Sequence, residues 1–363
     1  MIFTGDIAES EVHQTATGEL TDADLRLRLI ALLRRELHDP SLKYAEPPAR
    51  LTGGYDTLIY RFTLNAPPRE WSGPLVVRLY RDAEGPARAR FEGAVQAAIS
   101  AQGFPAPRPI MAHDGIAGIG GAFIVMTCVP GRTMMAAIVS TGILRSIATL
   151  TETHLALHAL DPAALVASLA SAGCPLELLD SSTLYAWLRF EIDRAALHGL
   201  VPGLEWLERS RPVERVQVIC HGDFHPLNIL MQRGKVTGVV DWSTGFLRIS
   251  EPEYDVGATS ALIALGPLEL PRPLVPFANA ARRWIVRRYV RGYAQQRSLD
   301  PLRLRYYEAL RLLAFLTEAG VAAAARSGTI EPTLLSDPFG SPALQRRISR
   351  RFADLTAVAL VIP

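Results

Sequence analysis

The sequence predicts an α+β protein with a small antiparallel β-sheet in its N-terminal part and a mainly helical C-terminal part. Between about residues 44 and 127, short apolar runs rich in β-branched and aromatic residues are typical of strands. After Pro130-Gly131, apolar residues recur at helical spacing over several long segments. A strand–turn–strand pattern at 216–240 interrupts these helices and carries the most distinctive polar motif. Segregation of strands from helices along the chain favours two lobes.

Composition narrows the class of protein. The chain has 363 residues, of which 49% are hydrophobic, and its formal net charge is only +2. This balance is typical of a globular enzyme and gives no electrostatic indication of nucleic-acid binding. No apolar stretch reaches the ~20 residues of a membrane span, and the N-terminus lacks the pattern of a signal peptide. We expect a cytoplasmic protein, with three free cysteines and no membrane or obligate protein partner.

The N-terminal elements follow from local patterns. Residues 1–20 are polar and aperiodic, and Thr21 then caps an amphipathic helix that runs to about Leu37. Strands are predicted at 50–52, 58–62, 75–80 and 122–126, with one helix at about 87–101. We expect residues 1–44 to form an extension and residues 45–128 to form an N-lobe, with a short hinge at 127–131.

Residues 129–363 are predicted to form the C-lobe. Its helices are expected at 132–160, 162–172, 182–198, 254–265, 275–297, 301–326 and 341–356. Strands at 229–231 and 236–240 are joined by a tight turn in which Gly234 can adopt positive φ. Folding these strands together brings Asn228, before the first, beside Asp241, after the second.

The segment His221-Gly-Asp223-Phe-His225-Pro-Leu-Asn228, followed by Asp241, has the spacing of a phosphoryl-transfer site. The reaction needs a carboxylate to orient and deprotonate an acceptor hydroxyl, and oxygen ligands to hold Mg²⁺ against phosphates. Asp223 fits the first role, and Asn228 with Asp241 fits the second. His221 is expected to brace the loop.

Two other interpretations compete with this one. Any one of these polar residues alone would be explained as an ordinary loop or capping group. His221, Asp223 and His225 would also match part of a transition-metal site for hydrolysis. That alternative has no evident fourth ligand nearby and leaves Asn228 and Asp241 unused, so the set as a whole favours phosphoryl transfer.

With these motifs, the chain resembles the aminoglycoside phosphotransferase and choline kinase-like family over roughly residues 45–320. The resemblance implies a protein-kinase-like two-lobe fold, with Asp223 as catalytic base and Asn228 and Asp241 as metal ligands. It also implies that Asp255, in Glu251-Pro-Glu-Tyr-Asp255, anchors the loop after the metal site. A simple helix cap is the alternative for Asp255.

The resemblance also places a nucleotide site in the N-lobe. Gly53 and Gly54 match a glycine loop over the ATP phosphates, since glycine lets backbone N–H groups approach phosphate. Arg78 stands where such folds usually have Lys, with Glu92 as its expected partner; guanidinium can bind phosphate in bidentate fashion. The backbone at Thr127 and Cys128 is expected to contact the adenine. The nucleotide is ATP, with GTP left open.

The acceptor is expected to be a small-molecule alcohol. Gly222 replaces the Arg of many protein kinases after His221, and Glu251 follows Asp241 too closely for a long activation segment. The Arg-rich C-terminal helices disfavour a polycationic aminoglycoside and favour a macrolide, sugar or amino alcohol. Four acidic residues could nevertheless line an acidic pocket: Glu251, Glu253, Glu269 and Glu318. An inactive nucleotide-binding relative, suggested only by Arg78, is the alternative function.

Overall fold

A computed structural model describes residues 21–51, 57–80, 84–115, 121–213, 215–242, 248–267, 275–331 and 337–362. The polar segment 1–20 lies outside these residues. The chain divides into two compact units. The first contains the chain up to Pro130 and the segment Leu165–Pro175, and the second contains Gly131–Ala164 and Leu176–Pro363.

The first unit is built on a five-stranded antiparallel sheet in the order β1-β2-β3-β5-β4. Its elements are α1 (Asp22–Glu36), β1 (Lys43–Arg50), β2 (Thr57–Asn65), β3 (Pro74–Tyr80), α2 (Gly85–Ala101), β4 (Pro109–His113) and β5 (Ala122–Thr127). The predicted capping by Thr21 is confirmed, because its side chain accepts from the Asp24 N–H. Four leucines of α1 share one hydrophobic core with β2, β3 and β5: Leu25, Leu29, Leu32 and Leu33.

Proline explains why the two edge strands escaped prediction. β1 contains Pro47 and Pro48 and is bulged against β2, and β4 begins at Pro109. A proline cannot donate to a strand ladder and is therefore tolerated at a sheet edge. Both strands lie at the edges of the observed order.

The second unit is mainly helical. The elements after Pro130 are β6 (Arg132–Thr133), α3 (Met134–Thr141), α4 (Ile143–Leu157), α5 (Pro162–Ser171), α6 (Ser181–Arg194), α7 (Val201–Arg209), β7 (Val218–Ile219), β8 (Ile229–Gln232), β9 (Lys235–Val239), β10 (Ile249–Ser250), α8 (Pro252–Leu265), α9 (Val275–Ala294), α10 (Pro301–Arg326) and α11 (Pro342–Thr356). Most of α5 belongs to the first unit. Two small antiparallel sheets, β6-β8-β9 and β7-β10, lie among these helices.

The predicted helix boundaries needed two corrections. The helix expected at 132–160 is two helices, because Gly142 has a φ of 83° and ends the first. The helix expected at 182–198 ends at Arg194, and a turn with positive φ at Ala196 leads to the unforeseen α7. The α+β class itself is confirmed, with an antiparallel sheet in the N-terminal region and a helical C-terminal region.

The core of the second unit surrounds α10. This helix starts at Asp300, whose carboxylate accepts the Leu302 N–H, and almost every residue from Tyr306 to Ala322 is buried. It packs against α6, α7, α8 and α11. A helix buried on all sides is a rigid support. Among the described residues, the helices all lack the combination of length and apolar character that a bilayer crossing requires.

Candidate active site

The β8–β9 hairpin places Asn228 and Asp241 at the same end of its ladder. Ile229 pairs with Val239, and one step further the Val240 N–H donates to the Asn228 carbonyl at 2.9 Å. Asp241 follows at once and has a φ of 69°, in the left-handed region that Asp adopts more readily than most residues. The hairpin therefore juxtaposes the two residues at its open end, as their spacing predicts.

Asp223 lies against Asn228 in the preceding loop. Asn228 Nδ2 donates to Asp223 Oδ2 at 3.1 Å and to the Asp223 carbonyl at 3.0 Å. His225 Nε2 is 3.3 Å from the same Oδ2, and Arg311 Nη2 is 3.4 Å from Oδ1. The Asp223 side chain is only 16% exposed, so these contacts replace much of its hydration.

The environment keeps Asp223 ionised. Burial acts to raise the pKa of this carboxyl, but the hydrogen bond and charge of His225, with the charge of Arg311, hold the pKa well below its usual range. An ionised carboxylate is the form that can accept a hydrogen bond, and later a proton, from a hydroxyl.

His221 braces the loop between two backbone contacts. Its Nδ1 accepts the Asp223 N–H at 3.3 Å, and its Nε2 donates to the Val240 carbonyl at 3.0 Å. Burial, with the nearby charge of Arg248, lowers the His221 pKa to about 4, so the ring is neutral and one nitrogen can accept while the other donates. Because both nitrogens are used, the transition-metal alternative loses this ligand.

Asp255, in the first turn of α8, fixes the same loop through its backbone. This fully buried carboxylate accepts the His221 N–H at 2.7 Å and the Gly222 N–H at 2.8 Å. His154 Nε2 and His158 Nε2 lie 3.0 and 3.3 Å from its Oδ2. Burial would raise the Asp255 pKa, but the histidine contacts hold it well below the usual value. Asp255 is thus a loop anchor.

Two expectations for Asp255 change in detail. The cap of α8 is Glu251, so the helix-cap alternative is wrong. The described contacts of Asp255 anchor the loop before Asp223 rather than the segment after Asp241, where residues 243–247 lie outside the described chain.

His154 and His158 belong to this support and not to a metal centre. Their ligand atoms and those of Asp255 lie close enough together to hold an ion. However, His154 Nδ1 and His158 Nδ1 are each 2.6 Å from a tyrosine hydroxyl, on Tyr289 and Tyr293. Each ring therefore spans from Asp255 to α9 with both nitrogens engaged.

Asn228 and Asp241 have the chemistry of Mg²⁺ ligands. Nδ2 makes the side-chain hydrogen bonds of Asn228, and within the described residues no protein donor bonds its carbonyl oxygen Oδ1. An amide oxygen and a carboxylate at the end of one hairpin match the hard oxygen donors that Mg²⁺ prefers. The donor set therefore fits this ion.

Arg78 in the first unit forms the expected ion pair with Glu92. Arg78 Nη1 lies 3.2 Å from Glu92 Oε1, and Arg78 Nε donates to Thr57 Oγ1 at 3.0 Å. Tyr80 and Gln96 also donate to the Glu92 carboxylate. A buried charged pair is tolerated when further hydrogen bonds stabilise it, as those with Thr57, Tyr80 and Gln96 do here.

The other residues predicted to bind the nucleotide are two glycines and the backbone at 127–128. Gly53 and Gly54 lie outside the described residues. Thr127 N–H donates to the Arg108 carbonyl and Cys128 N–H to the Pro74 carbonyl, both at 2.9 Å. An adenine contact from either residue would therefore use a carbonyl oxygen.

The four acids that could line an acidic pocket for the acceptor have different surroundings. Glu251 is buried and bonded to Arg303 and Tyr307, and Glu253 is buried and accepts the Asp300 N–H at 2.8 Å. Glu318 contacts Arg311 at 3.3 Å, and Glu269 lies outside the described residues. Two of the four acids thus serve internal structure.

Sequence reasoning missed three groups around the loop. One is the pair Tyr289 and Tyr293, whose spacing of four residues mirrors that of His154 and His158 and was a usable signal. Another is Arg248, which donates to the His221 and Trp242 carbonyls. Arg311 is the third, and no local motif marks it.

Comparison with known proteins fits this geometry. Residues 49–293 match the model of the phosphotransferase enzyme family (APH). The chain belongs to this family. The resemblance found in the sequence is thereby confirmed, and the chain is a member of a family of phosphotransferases.

Individual relatives are more distant. A 106-residue segment is 33% identical to an aminoglycoside 3′-phosphotransferase of Streptomyces fradiae; it is 29% of this chain but only 35% of that protein. The fold is similar to APH(4)-Ia in a ternary complex with AMP-PNP and hygromycin B, with a TM-score of 0.56 at 16% identity over 91% of this chain and 97% of that one. A macrolide 2′-phosphotransferase type I gives 0.53 at 17% identity over 93% and 97% of the two chains.

Proposed function

We propose that this protein transfers the γ-phosphate of Mg-ATP to a hydroxyl group of a small molecule. The observation that carries the proposal is the convergence of Asp223, Asn228 and Asp241 at the open end of the β8–β9 hairpin. Family membership supports the same class of reaction.

Asp223 is proposed as the base. Its carboxylate is ionised and partly exposed, so it can accept a hydrogen bond from an acceptor hydroxyl and take the proton as the new P–O bond forms. The bond to the ADP leaving oxygen breaks in the same displacement. In phosphoryl transfer most of the catalytic effect comes from positioning and electrostatics, which explains why the loop is bonded so extensively.

Asn228 and Asp241 are proposed to hold Mg²⁺, which would neutralise charge on the nucleotide phosphates when bound. Asn228 has a second duty, because its Nδ2 orients Asp223 while its Oδ1 faces away from that contact. Arg78, held by Glu92 and Thr57, is proposed to bind phosphate oxygens in place of the usual Lys.

Similar structures bear on the choice of nucleotide. One similar structure holds AMP-PNP and another, an aminoglycoside 2′-phosphotransferase-IIIa variant, holds GDP. We propose ATP, with GTP as the alternative donor. For the acceptor we propose a neutral or weakly charged alcohol, because Glu251 and Glu253 are committed to internal contacts and Glu318 contacts Arg311.

The test is nucleotide release measured against an acceptor panel. Purified protein with Mg-ATP or Mg-GTP is offered macrolides, sugars, amino alcohols and aminoglycosides, and ADP or GDP is quantified with and without each acceptor. We expect release that depends on one acceptor class and is lost in Asp241→Asn. Nucleotide binding without release for any acceptor would favour the inactive relative, and absence of nucleotide binding would contradict the proposal.

A further inference from the structure

Arg311 reaches the proposed base from a different part of the fold. It lies in the middle of α10, is 8% exposed, and is separated from Asp223 by 88 positions in the sequence. Its Nη2 lies 3.4 Å from Asp223 Oδ1. The other oxygen, Oδ2, is contacted by Asn228 and His225, so donors from the loop and from α10 hold opposite ends of one carboxylate.

The guanidinium of Arg311 is itself held in place. Nη1 contacts Glu318 Oε1 at 3.3 Å, and the guanidinium lies over the Phe315 ring at 4.6 Å from its centroid. Phe315 is fully buried, and the surrounding turns of α10 form the core of the unit. Contacts on two sides restrict a side chain that would otherwise sample many rotamers.

Two-point attachment has a specific consequence for a carboxylate. The torsion about the Cβ–Cγ bond of Asp is soft, so a carboxylate held at one oxygen can still turn its plane. A donor at each oxygen fixes that plane and leaves further lone pairs for a hydroxyl. Catalytic geometry must be kept within about 0.5 Å and 10–20°, so this torsion matters for the rate.

We propose that Arg311 is a positioning residue that fixes the plane of the Asp223 carboxylate toward the acceptor hydroxyl. The inference rests on the proposed function, because it assumes that Asp223 acts as the base. Arg311 moves no proton and is assigned no contact with the substrate.

The test compares Arg311→Met and Arg311→Lys with the wild-type enzyme on its acceptor. Arg311→Met keeps a long apolar side chain in the core but removes the guanidinium and with it the donor to Oδ1. We expect kcat to fall by about 10–100-fold while KM for ATP stays within about twofold. The kcat of Arg311→Lys should be intermediate, because one ammonium cannot reproduce the separate contacts of Nη2 with Asp223 and of Nη1 with Glu318. Free guanidinium should restore part of the activity of Arg311→Ala.

Arg351→Met is the matched control. Arg351 on α11 forms a forked ion pair with Glu308 of α10, the helix that carries Arg311, at 2.7 and 2.9 Å. Within the described part of the chain it makes no hydrogen bond to Asp223. The Arg351→Met substitution should lower the midpoint of thermal unfolding without changing kcat. If Arg311→Met does not fold, Arg311→Lys carries the comparison.

The outcomes separate the two proposals. A wild-type enzyme that turns over, with folded Arg311 variants of unchanged kcat, would overturn the positioning role and leave the proposed function intact. Equal losses in nucleotide affinity and kcat, without guanidinium rescue, would make Arg311 a purely structural residue and also overturn it. A wild-type protein with no turnover on any acceptor would overturn both the proposed function and the positioning role of Arg311.

Discussion

At the scale of residues, the two charged clusters of this protein differ in how they are stabilised. Arg78 and Glu92 form a buried pair that is further stabilised by hydrogen bonds with Thr57, Tyr80 and Gln96. Asp223 is instead partly exposed, and donors from Asn228, His225 and Arg311 contact its carboxylate and keep it ionised. The first arrangement favours a fixed cation, and the second leaves lone pairs of the Asp223 carboxylate for a ligand.

Replacing Arg78 with Met should therefore damage both stability and nucleotide binding. Removing one partner of a buried ion pair leaves the other charge uncompensated, and we expect a loss of about 3 kcal/mol in the free energy of unfolding. Arg78→Lys keeps the charge but loses the bond to Thr57, and should lose less. Urea unfolding and the KM for ATP measure the two effects. An unchanged KM for ATP in Arg78→Met would contradict the phosphate-binding role.

At the scale of elements, the hairpin depends on a close approach at Gly131. Its φ is 121°, and a Cβ there would lie 2.5 Å from the Met231 carbonyl of β8. Gly234, in the turn of the same hairpin, also has positive φ but has open space around it. An alanine at Gly234 would meet only backbone strain, whereas an alanine at Gly131 would meet both backbone strain and steric overlap with β8.

We expect Gly131→Ala to cost about 2–3 kcal/mol of unfolding free energy, because strain and overlap with β8 add. Gly234→Ala should cost about 1 kcal/mol, since only the left-handed backbone is penalised. Chemical denaturation of both variants makes the comparison. Equal losses would show that β6 does not pack against β8 as described.

Asp255 anchors the loop that carries Asp223, through the His221 and Gly222 N–H groups. Asp255→Asn would place an amide donor against backbone N–H groups that now donate to a carboxylate, and we expect about 3 kcal/mol of destabilisation with reduced kcat. Asp180→Asn is the control, because Asp180 is an exposed cap of α6 and Asn caps helices equally well. Wild-type stability and activity in Asp255→Asn would contradict the anchoring role.

Local patterns predicted the hairpin that brings Asn228 and Asp241 together, but they did not predict the long-range contacts that hold Asp223 and His221. The spacing of Asn228 and Asp241 around a tight turn was sufficient to bring them together, because a hairpin is a local structure. The contacts of Asp223 with Arg311 and of His221 with Asp255 join residues 88 and 34 positions apart. No periodicity encodes such contacts; they depend on how α10 and α8 pack.

At the scale of the whole molecule, buried histidines predict acid sensitivity. Burial lowers the pKa of His158 and of His221 to about 4, below the ordinary value of 6.5. Between these pH values the unfolded chain binds more protons than the folded one, so stability is fully present above pH 6.5 and falls as the pH drops toward 4. Each histidine contributes a slope of at most about 1.4 kcal/mol per pH unit.

Unfolding free energies measured from pH 7.5 to 4.5 test this expectation. The stability of the wild-type protein should decline below about pH 6.5, and His158→Gln should show a shallower decline because one of the two titrating groups is gone. A free energy of unfolding that stays level to pH 5 would contradict the neutral, buried state of these rings.

The central claim is that Asp223 deprotonates the acceptor hydroxyl. The most direct measurement is the single-turnover rate of transfer of labelled γ-phosphate from ATP to the acceptor, in the wild-type enzyme and in Asp223→Asn, at saturating nucleotide. We expect the variant to bind ATP as the wild-type enzyme does and to transfer phosphate at least about 100-fold more slowly. Transfer at the wild-type rate in a folded, ATP-bound Asp223→Asn would contradict the account.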